Sequence, residues 1–178
     1  MDSTLRHDVL ALLERIQWPP GTTQASMATR TAAAEFSERL DVAIPDDVVQ
    51  WLTVLNGARI GRGGVFGIRP DDDYCDIEAM FNVYPGWKTK GWIPIAGDGC
   101  GNYYVIIPDE TCFPVCFVDT MADSERPTYV VASGTWQFLR FLFEDELHPS
   151  GWPFDRAFVL SRDPEIQRCT IAPLPWNA

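Results

Sequence analysis

The segment from Trp92 to Ile107, W-I-P-I-A-G-D-G-C-G-N-Y-Y-V-I-I, constrains the fold more than any other part of the chain. Two apolar runs flank a turn that holds three glycines together with Asp98 and Asn102. Glycine permits positive φ, and the side chains of Asp and Asn can hydrogen-bond to the backbone of their own turn. The sequence therefore predicts a tight hairpin between two buried strands.

Short runs rich in β-branched and aromatic residues predict the rest of the sheet. The linkers between these runs are too short for crossover helices, so neighbouring strands should pair antiparallel. We expect an α+β fold with a single mixed, mostly antiparallel sheet of about five or six strands packed with helices. The candidate strands are 92–96, 103–107, 115–118 and 129–132, with a shorter run at 65–68.

Apolar residues that recur three and four positions apart predict amphipathic helices. Two consecutive prolines, Pro19 and Pro20, should stop the first helix, and Pro45 has the fixed φ that suits the first turn of the third. Ser133 is a favourable N-cap for the last helix. The predicted helices cover residues 3–18, 29–40, 45–57 and 134–147.

The length of the chain, 178 residues, predicts a single domain over 1–178. Within it we distinguish an N-terminal helix in residues 1–20, a core at 29–147 and a Pro-rich C-terminal extension at 148–178. The extension holds five prolines together with Trp152 and Phe154. We expect it to lie as an extended strap against the body.

The chain is strongly acidic, with 14 Lys and Arg against 25 Asp and Glu and a formal net charge of −11. This charge repels phosphate backbones and anionic membrane surfaces, so we predict neither direct nucleic-acid binding nor membrane binding. The same charge attracts basic proteins over a long range. The composition therefore favours a basic protein as the partner.

The sequence also predicts a cytoplasmic location. The first residues, M-D-S-T-L-R-H-D-V-L, lack a basic stretch followed by a continuous apolar run. No later segment reaches the roughly 18 uninterrupted apolar residues of a membrane span. Five cysteines are an odd number in a chain large enough to fold without disulfides, which indicates reduced thiols.

The motifs predict no catalytic residue, no metal and no cofactor. The turn G-D-G-C-G-N lacks the Lys-Ser/Thr of a phosphate loop and the oxygen ligands of a calcium loop. Cys112 and Cys116 have a spacing close to that of zinc ligands, but no second Cys/His pair accompanies them. A Cys-His nucleophile would have to be drawn from Cys75, Cys100, His7 and His148.

Two acidic clusters and one tryptophan are the candidates for partner binding. Acidic runs often serve only to keep a protein soluble, and that alternative stays open for both clusters. The second cluster lies late in a predicted helix, where the helix dipole disfavours anions, so local stability does not explain it. The tryptophan lies in the loop-like context Y-P-G-W-K-T-K, which favours exposure. The candidates are Asp71, Asp72, Asp73, Asp76, Glu78, Trp87, Glu144, Asp145 and Glu146.

Three motifs in residues 29–147 resemble those of the SUKH superfamily, which includes the fungal SMI/KNR cell-wall-assembly regulators and bacterial immunity proteins. They are a proline-led helix that ends in Asn-Gly, a hairpin with Trp-x-Pro-x-Ala-x-Asp-Gly-x-Gly-Asn, and a closing helix with Phe138 and Leu139. The hairpin is the most specific of the three. The structural-motif residues that match are Pro45, Asn56, Gly57, Trp92, Pro94, Asp98, Gly99, Gly101 and Asn102.

This resemblance implies a SUKH-like fold and a non-enzymatic protein-binding module, in bacteria an immunity protein that neutralises a toxin, often a nuclease or deaminase. A net charge of −11 suits competition with nucleic acid for a basic cleft. Two alternatives stay open, a regulatory scaffold of the fungal type and a small-molecule-binding protein or hydrolase. The latter would need a pocket between sheet and helices lined by Tyr103, Tyr104 and Asp98.

Overall fold

The fold is built around one antiparallel sheet of four strands. A computed structural model describes residues 3–18, 27–109 and 112–178. Each strand pairs with its neighbour in sequence, which makes the sheet a meander and confirms the α+β class. Its strands are β1 (Ile93–Gly97), β2 (Tyr103–Ile106), β3 (Val115–Val118) and β4 (Tyr129–Ala132).

Helices precede the sheet, connect its last strands and follow it. The first helix was predicted to end at Trp18, but it ends at Leu13. Pro19 and Pro20, which were predicted to stop it, lie outside the described residues. None of the described helices combines the length and the apolar composition needed to cross a bilayer. The helices are α1 (Ser3–Leu13), α2 (Arg30–Leu40), α3 (Asp46–Leu52), α4 (Ile77–Val83), α5 (Pro85–Thr89), α6 (Thr120–Asp123), α7 (Thr135–Leu147) and α8 (Arg156–Arg162), and short 3-10 helices cover Asp73–Cys75, Pro164–Arg168 and Pro175–Asn177.

In the described part of the chain, the sheet differs from the prediction in two respects: it is antiparallel throughout rather than mixed, and it has four strands rather than five or six. The run 65–68 makes only isolated bridges, through Val65 and Gly67. Gly64 precedes this run with φ +76°, and a Cβ added at Gly67 would lie 2.4 Å from the backbone of Asn56. These glycine-dependent close contacts replace a regular ladder.

The Asn-Gly pair after α3 has a different role from the predicted helix stop. The helix begins after Pro45, as predicted, but it already ends at Leu52. The Asn56 side chain accepts a hydrogen bond from Ile68 N at 2.7 Å and donates one to Ile68 O at 2.9 Å, as the backbone of a partner strand would. Gly57 turns the chain with φ +77°, a conformation that strains other residues.

The two faces of the sheet pack against different helices, because successive residues of a strand point to opposite sides. On one face the ring of Tyr103 lies 5.5 Å from Tyr84 and 5.6 Å from Trp87, at the α4–α5 corner. On the other face Tyr104 lies 5.0 Å from Phe138 of α7, and α1 packs along the outside of α7. The core therefore extends on both sides of the sheet.

The tryptophans of the core correct one prediction. Trp92 and Trp136 are buried, as their patterns predicted. Trp87, for which we predicted exposure, is 0% exposed. It lies in α5, and its Nε1 donates a hydrogen bond to Ser124 O at 2.7 Å. The loop-like sequence around Trp87 hid the short helix that turns this ring inwards.

The C-terminal extension is not an extended strap. It contains α8 and two of the 3-10 helices, and Pro173 O accepts a hydrogen bond from Val130 N at 2.9 Å along the edge of the sheet. Asp163, which is 0% exposed, accepts hydrogen bonds from N and Oγ of Ser133 at 2.7 and 2.6 Å. Ser133 is therefore not the N-cap of α7, a position held by Gly134 without a side-chain hydrogen bond.

Candidate functional site

The turn between β1 and β2 is organised by the carboxylate of Asp98. Its Oδ1 accepts hydrogen bonds from the N–H groups of Cys100 at 2.7 Å and Asn102 at 3.0 Å. Its Oδ2 accepts one from Asn102 Nδ2 at 2.8 Å. Asn102 Oδ1 in turn accepts one from Thr120 N at 3.3 Å, which ties the turn to the start of α6. The predicted hairpin is confirmed.

Glycines let the loop 61–64 lie directly on this turn. A Cβ added at Gly63 would lie 2.2 Å from the carbonyl carbon of Gly97, and one added at Gly99 would lie 2.5 Å from the carbonyl oxygen of Arg62. Backbones in such close contact leave no room for a larger residue. The contact places Arg62 beside the hairpin.

An aromatic row crosses three strands on the face of Tyr104. The ring of Tyr104 lies 5.5 Å from that of Phe117, which stacks on Tyr129 at 5.1 Å. The register of the sheet pairs Phe117 with Tyr104 on one side and with Tyr129 on the other. Cross-strand aromatic pairs of this kind stabilise a sheet and present a broad apolar surface.

The C-terminal extension adds two more rings to this surface. Trp152, 9% exposed, lies 5.6 Å from Tyr104, and its Nε1 donates a hydrogen bond to Val131 O at 3.0 Å. Phe154 lies edge-on 5.6 Å from Tyr129 and is 58% exposed. The rings border a cavity of about 310 Å³. We call this cavity, with its aromatic row and the two added rings, the aromatic groove.

Three acidic residues and one arginine also line the aromatic groove, namely Asp98, Asp145, Glu146 and Arg62. Glu146 and Arg62 are exposed, and within the described parts of the chain neither makes an ion pair. Burial raises the pKa of the Tyr129 hydroxyl to about 12, and the Asp98 carboxylate adds to the rise. The groove thus combines aromatic walls with an excess of negative charge.

The first predicted acidic cluster is largely neutralised by the chain's own arginines. Arg69, 8% exposed, donates a hydrogen bond from Nε to Asp71 Oδ1 at 3.0 Å, and its Nη2 lies 3.8 Å from Asp72. The guanidinium lowers the pKa of the Asp71 carboxyl. Arg59 also pairs with Asp72, at 3.2 Å, whereas Asp73 is exposed. The loop is therefore held by intramolecular ion pairs.

The two remaining acids of this cluster are also engaged. Asp76 is buried and accepts hydrogen bonds from Arg69 N at 2.7 Å and Ala79 N at 3.1 Å, which makes it the N-cap of α4. Burial raises its pKa. Glu78 accepts two hydrogen bonds from Arg39, at 2.7 and 2.8 Å. The side chains of both residues are therefore occupied by contacts within the chain.

In the second acidic cluster, Glu144 makes contacts within the fold, whereas Asp145 and Glu146 line the aromatic groove. Glu144 accepts hydrogen bonds from Arg140 Nε at 3.1 Å and Arg162 Nε at 2.8 Å, which joins α7 to α8. Local stability therefore does explain Glu144, contrary to the argument from the helix dipole. The favourable contacts with two guanidinium groups offset the unfavourable position near the end of the helix.

Asp145 and Glu146 are the predicted candidates that line the aromatic groove. Asp145 accepts hydrogen bonds from N and Oγ of Ser150 at 2.9 and 3.0 Å, both on Oδ1, so Oδ2 takes part in neither. Asp98, predicted as a structural-motif residue, joins them at the groove. The structure brings these three carboxylates together although the hairpin lies far from α7 in sequence.

Tyr103 and Tyr104 do not line one pocket as the small-molecule hypothesis required. They point to opposite faces of the sheet because they are adjacent in one strand. Tyr103 borders a separate cavity of about 250 Å³ together with Phe66 and Met80, whereas Tyr104 and Asp98 border the aromatic groove.

The thiols and histidines considered for catalysis differ in exposure. Cys75 is buried, and burial raises its pKa to about 11, which makes the thiol a poor nucleophile near neutral pH. Cys100 is exposed on the hairpin turn, and His7 and His148 are exposed on and after helices. Within residues 3–18, 27–109 and 112–178, no group of three or more His, Cys, Asp or Glu is placed to hold a metal ion.

The comparison with protein families gives a match to the SMI1 / KNR4 family (SUKH-1) over residues 27–140. The chain belongs to this family. No curated protein sequence matches the chain significantly. For this SMI1 / KNR4 family member, the matched residues include the hairpin motif and the whole sheet. Asp145, Glu146, Trp152 and Phe154 lie beyond the matched residues, so part of the aromatic groove is formed outside the family core.

Most of the rings of the groove could not be recognised as one surface from the sequence. Phe117 and Tyr129 lie in predicted strands, but their side-by-side placement depends on strand register. Trp152 and Phe154 lie in the segment predicted to be an extended strap. The available signal was that β2, β3 and β4 each contain an aromatic residue. It became specific only once the strands were paired.

Proposed function

We propose that this SMI1 / KNR4 family member is a non-catalytic binding module that neutralises a basic protein, as an immunity protein neutralises its toxin. Family membership supports a binding or regulatory role. The net charge of −11 supports a basic partner, because opposite charges accelerate association. The partner would be a nuclease or deaminase whose nucleic-acid-binding surface is basic, and the complex would form in the cytoplasm.

One observation carries the proposal: Asp145 and Glu146 border a concave aromatic surface and form no ion pair among the described residues, whereas most acids of the 71–78 cluster are held by contacts within the chain. The cluster at 71–78 faces Arg39, Arg59 and Arg69, whereas Asp145 and Glu146 border the aromatic groove. Aromatic residues and a central concavity are typical of the energetically important part of a protein interface. The aromatic groove is therefore our candidate for the partner-binding surface.

The small-molecule alternative has less support. The cavity beside Tyr103 measures about 250 Å³, below the range of about 300–1,000 Å³ that is usual for ligand sites. The aromatic groove, at about 310 Å³, is at the lower limit of that range. Its size suits one or two side chains of a protein better than a whole metabolite.

Co-expression tests the proposal. The protein encoded next to this gene in the source genome is produced in a bacterial host with and without this chain, and surviving colonies are counted. We expect survival to rise by several orders of magnitude with this chain, and the purified pair to elute as one complex in gel filtration. Absence of both protection and complex formation refutes the immunity role, and complex formation with a non-toxic protein supports the regulatory-scaffold alternative instead.

A further inference from the structure

We propose that the aromatic groove binds the side chain of an arginine of the partner, with the guanidinium against Phe154 and Tyr129 and its N–H groups directed to Asp145 and Glu146. This inference rests on the proposed function and deepens it, because it assigns the chemistry of the group that the partner inserts. The occupant to which we commit is an arginine within a basic protein segment.

The walls of the groove are flat rings held in fixed positions. Tyr129 stacks on Phe117 with an interplanar angle of 11°, and Trp152 stacks on Phe141 at 16°. Phe154 stands at the rim with more than half of its surface exposed. A large apolar ring left at a concave rim beside a rigid aromatic row is typical of a binding surface.

The charge around these rings suits a cation. Asp98, Asp145 and Glu146 bring three carboxylates to the groove, and Arg62 brings one guanidinium, which leaves an excess of negative charge. Burial is the main cause that raises the pKa of the Tyr104 hydroxyl, Tyr129, Asp98 and Asp145 add to the rise, and Arg62 opposes it. A cation entering the groove would therefore be attracted from several sides.

Several other aromatic rings already make a cation–π contact with a basic side chain of the same chain. Guanidinium or ammonium groups lie 4.0 to 5.6 Å from the ring centroids of Trp136, Phe36, Tyr74, Trp92 and Phe158. Among the described residues, the rings of Tyr129, Trp152 and Phe154 have no such partner. The groove thus offers ring faces beside carboxylates for a cation from another molecule.

Arginine fits this surface better than lysine. Its planar guanidinium can stack on a ring while its N–H groups reach carboxylates in the plane, whereas an ammonium group is compact and strongly hydrated. Asp145 and Glu146 both line the groove, and Asp145 Oδ2 accepts neither of the Ser150 hydrogen bonds. Asp145 Oδ2 and the Glu146 carboxylate are therefore acceptors for the N–H groups of a guanidinium in the groove.

The first test uses the full chain and three synthetic peptides, acetyl-Gly-Ser-Xaa-Ser-Gly-amide with arginine, lysine or citrulline at Xaa. NMR titration should give the largest shifts at Tyr129, Trp152 and Phe154 with the arginine peptide. Citrulline has nearly the same shape without the charge, and we expect its affinity to be at least about tenfold lower. Equal shifts with arginine and citrulline, or no shifts in the groove, would overturn the inference.

Variants of the groove give the second test. Phe154→Ala and Glu146→Gln should weaken binding of the arginine peptide by about three- to tenfold, whereas Asp73→Asn, at an exposed acid outside the groove, should leave it unchanged. Arg62→Ala removes a repulsive charge and should tighten binding by about two- to fivefold. A purely structural role of these residues predicts no such gain, so an unchanged or weaker Arg62→Ala complex contradicts the inference.

The same variants separate this inference from the proposed function. If the toxin is neutralised equally well by the wild type and by Phe154→Ala and Glu146→Gln, the immunity role stands and the arginine assignment fails. If the arginine peptide binds as expected but no protein partner is neutralised, the groove chemistry stands and the immunity role fails.

Discussion

Gly99 is the residue at which the hairpin and the loop 61–64 come closest. It has φ +79°, and an added Cβ would lie 2.5 Å from the carbonyl oxygen of Arg62. Gly101, in the same turn, has φ +95° but no atom within 4 Å of an added Cβ. The two glycines therefore separate the cost of an unfavourable backbone conformation from the cost of a clash between backbones.

Alanine at these two positions should have unequal effects. We expect Gly101→Ala to lower the free energy of unfolding by about 1 kcal/mol, because only the positive φ is unfavourable. Gly99→Ala should cost about 2–4 kcal/mol, because the loop must also move. Urea denaturation followed by tryptophan fluorescence measures both. Equal losses would mean that the loop does not pack on the turn as described.

Asp163 is a buried carboxylate whose pKa is raised, chiefly by burial, although the hydrogen bonds from Ser133 oppose the rise. A raised folded pKa means that the folded state binds the proton more tightly than the unfolded state does. The contribution of Asp163 to stability is therefore largest below its unfolded pKa of 3.8 and is lost as pH rises through the folded value.

Asp163→Asn should remove this dependence. The free energy of unfolding of the wild type minus that of Asp163→Asn should be larger near pH 4 than near pH 7, by about 1 kcal/mol or more. Urea midpoints at the two pH values provide the measurement, with Asp73→Asn as an exposed control. A difference that stays constant or grows with pH would show that ionised Asp163 is not penalised in the folded state.

At the scale of elements, the C-terminal extension is part of the folded body because one of its rings and one of its carboxylates are buried. Trp152 contacts Phe138 and Phe141 of α7 and donates a hydrogen bond to β4, and Asp163 accepts hydrogen bonds at the start of α7. Glu144 then joins α7 to α8. The extension is therefore fixed to the sheet and to α7 at separate points.

Two aromatic substitutions in the extension test this arrangement. Trp152→Ala should lower the free energy of unfolding by about 3–5 kcal/mol, since it removes a buried ring and leaves a cavity. Phe154→Ala, at a residue that is 58% exposed, should change it by less than about 1 kcal/mol. Thermal and urea unfolding give both values. Two small effects would mean that the extension contributes little to the fold.

At the scale of the whole molecule, the net charge is −11, and the acidic clusters differ in how far arginines of the same chain neutralise them. Three arginines take up much of the charge of the 71–78 cluster, and two others bind Glu144. Among the described residues that line the aromatic groove, Arg62 is the one cation beside Asp98, Asp145 and Glu146. The position of a charge, rather than the total, should therefore decide its effect on a partner.

Charge reversal at matched positions tests this view. Glu146→Lys and Asp73→Lys change the net charge equally, and both residues are exposed. At low ionic strength we expect Glu146→Lys to slow association with the partner by about three- to tenfold and Asp73→Lys by less than about twofold. Salt near 0.5 M should reduce both effects, because screening is then strong. Stopped-flow experiments measure the association rate of each variant at both salt concentrations. Equal slowing by both variants would argue against the groove as the contact surface.

The sequence by itself determined the elements whose signals are local. The hairpin turn follows from Gly99, Gly101 and the side chain of Asp98, whose hydrogen bonds to Cys100 and Asn102 span at most four residues. Apolar spacing predicts α1, α2, α3 and α7 but not α4, α5, α6 and α8. The family follows from motifs that are continuous in sequence. Such features need no knowledge of distant residues, because the atoms that stabilise them are close together along the chain.

Only the tertiary structure decided which charges remain unpaired and where the aromatic groove lies. Glu78 pairs with Arg39 over 39 positions, and Asp163 binds Ser133 over 30. The groove combines a loop, a hairpin, three strands, the end of α7 and the C-terminal extension. Its position depends on strand register and on the docking of the extension, both of which arise from packing between residues far apart in sequence.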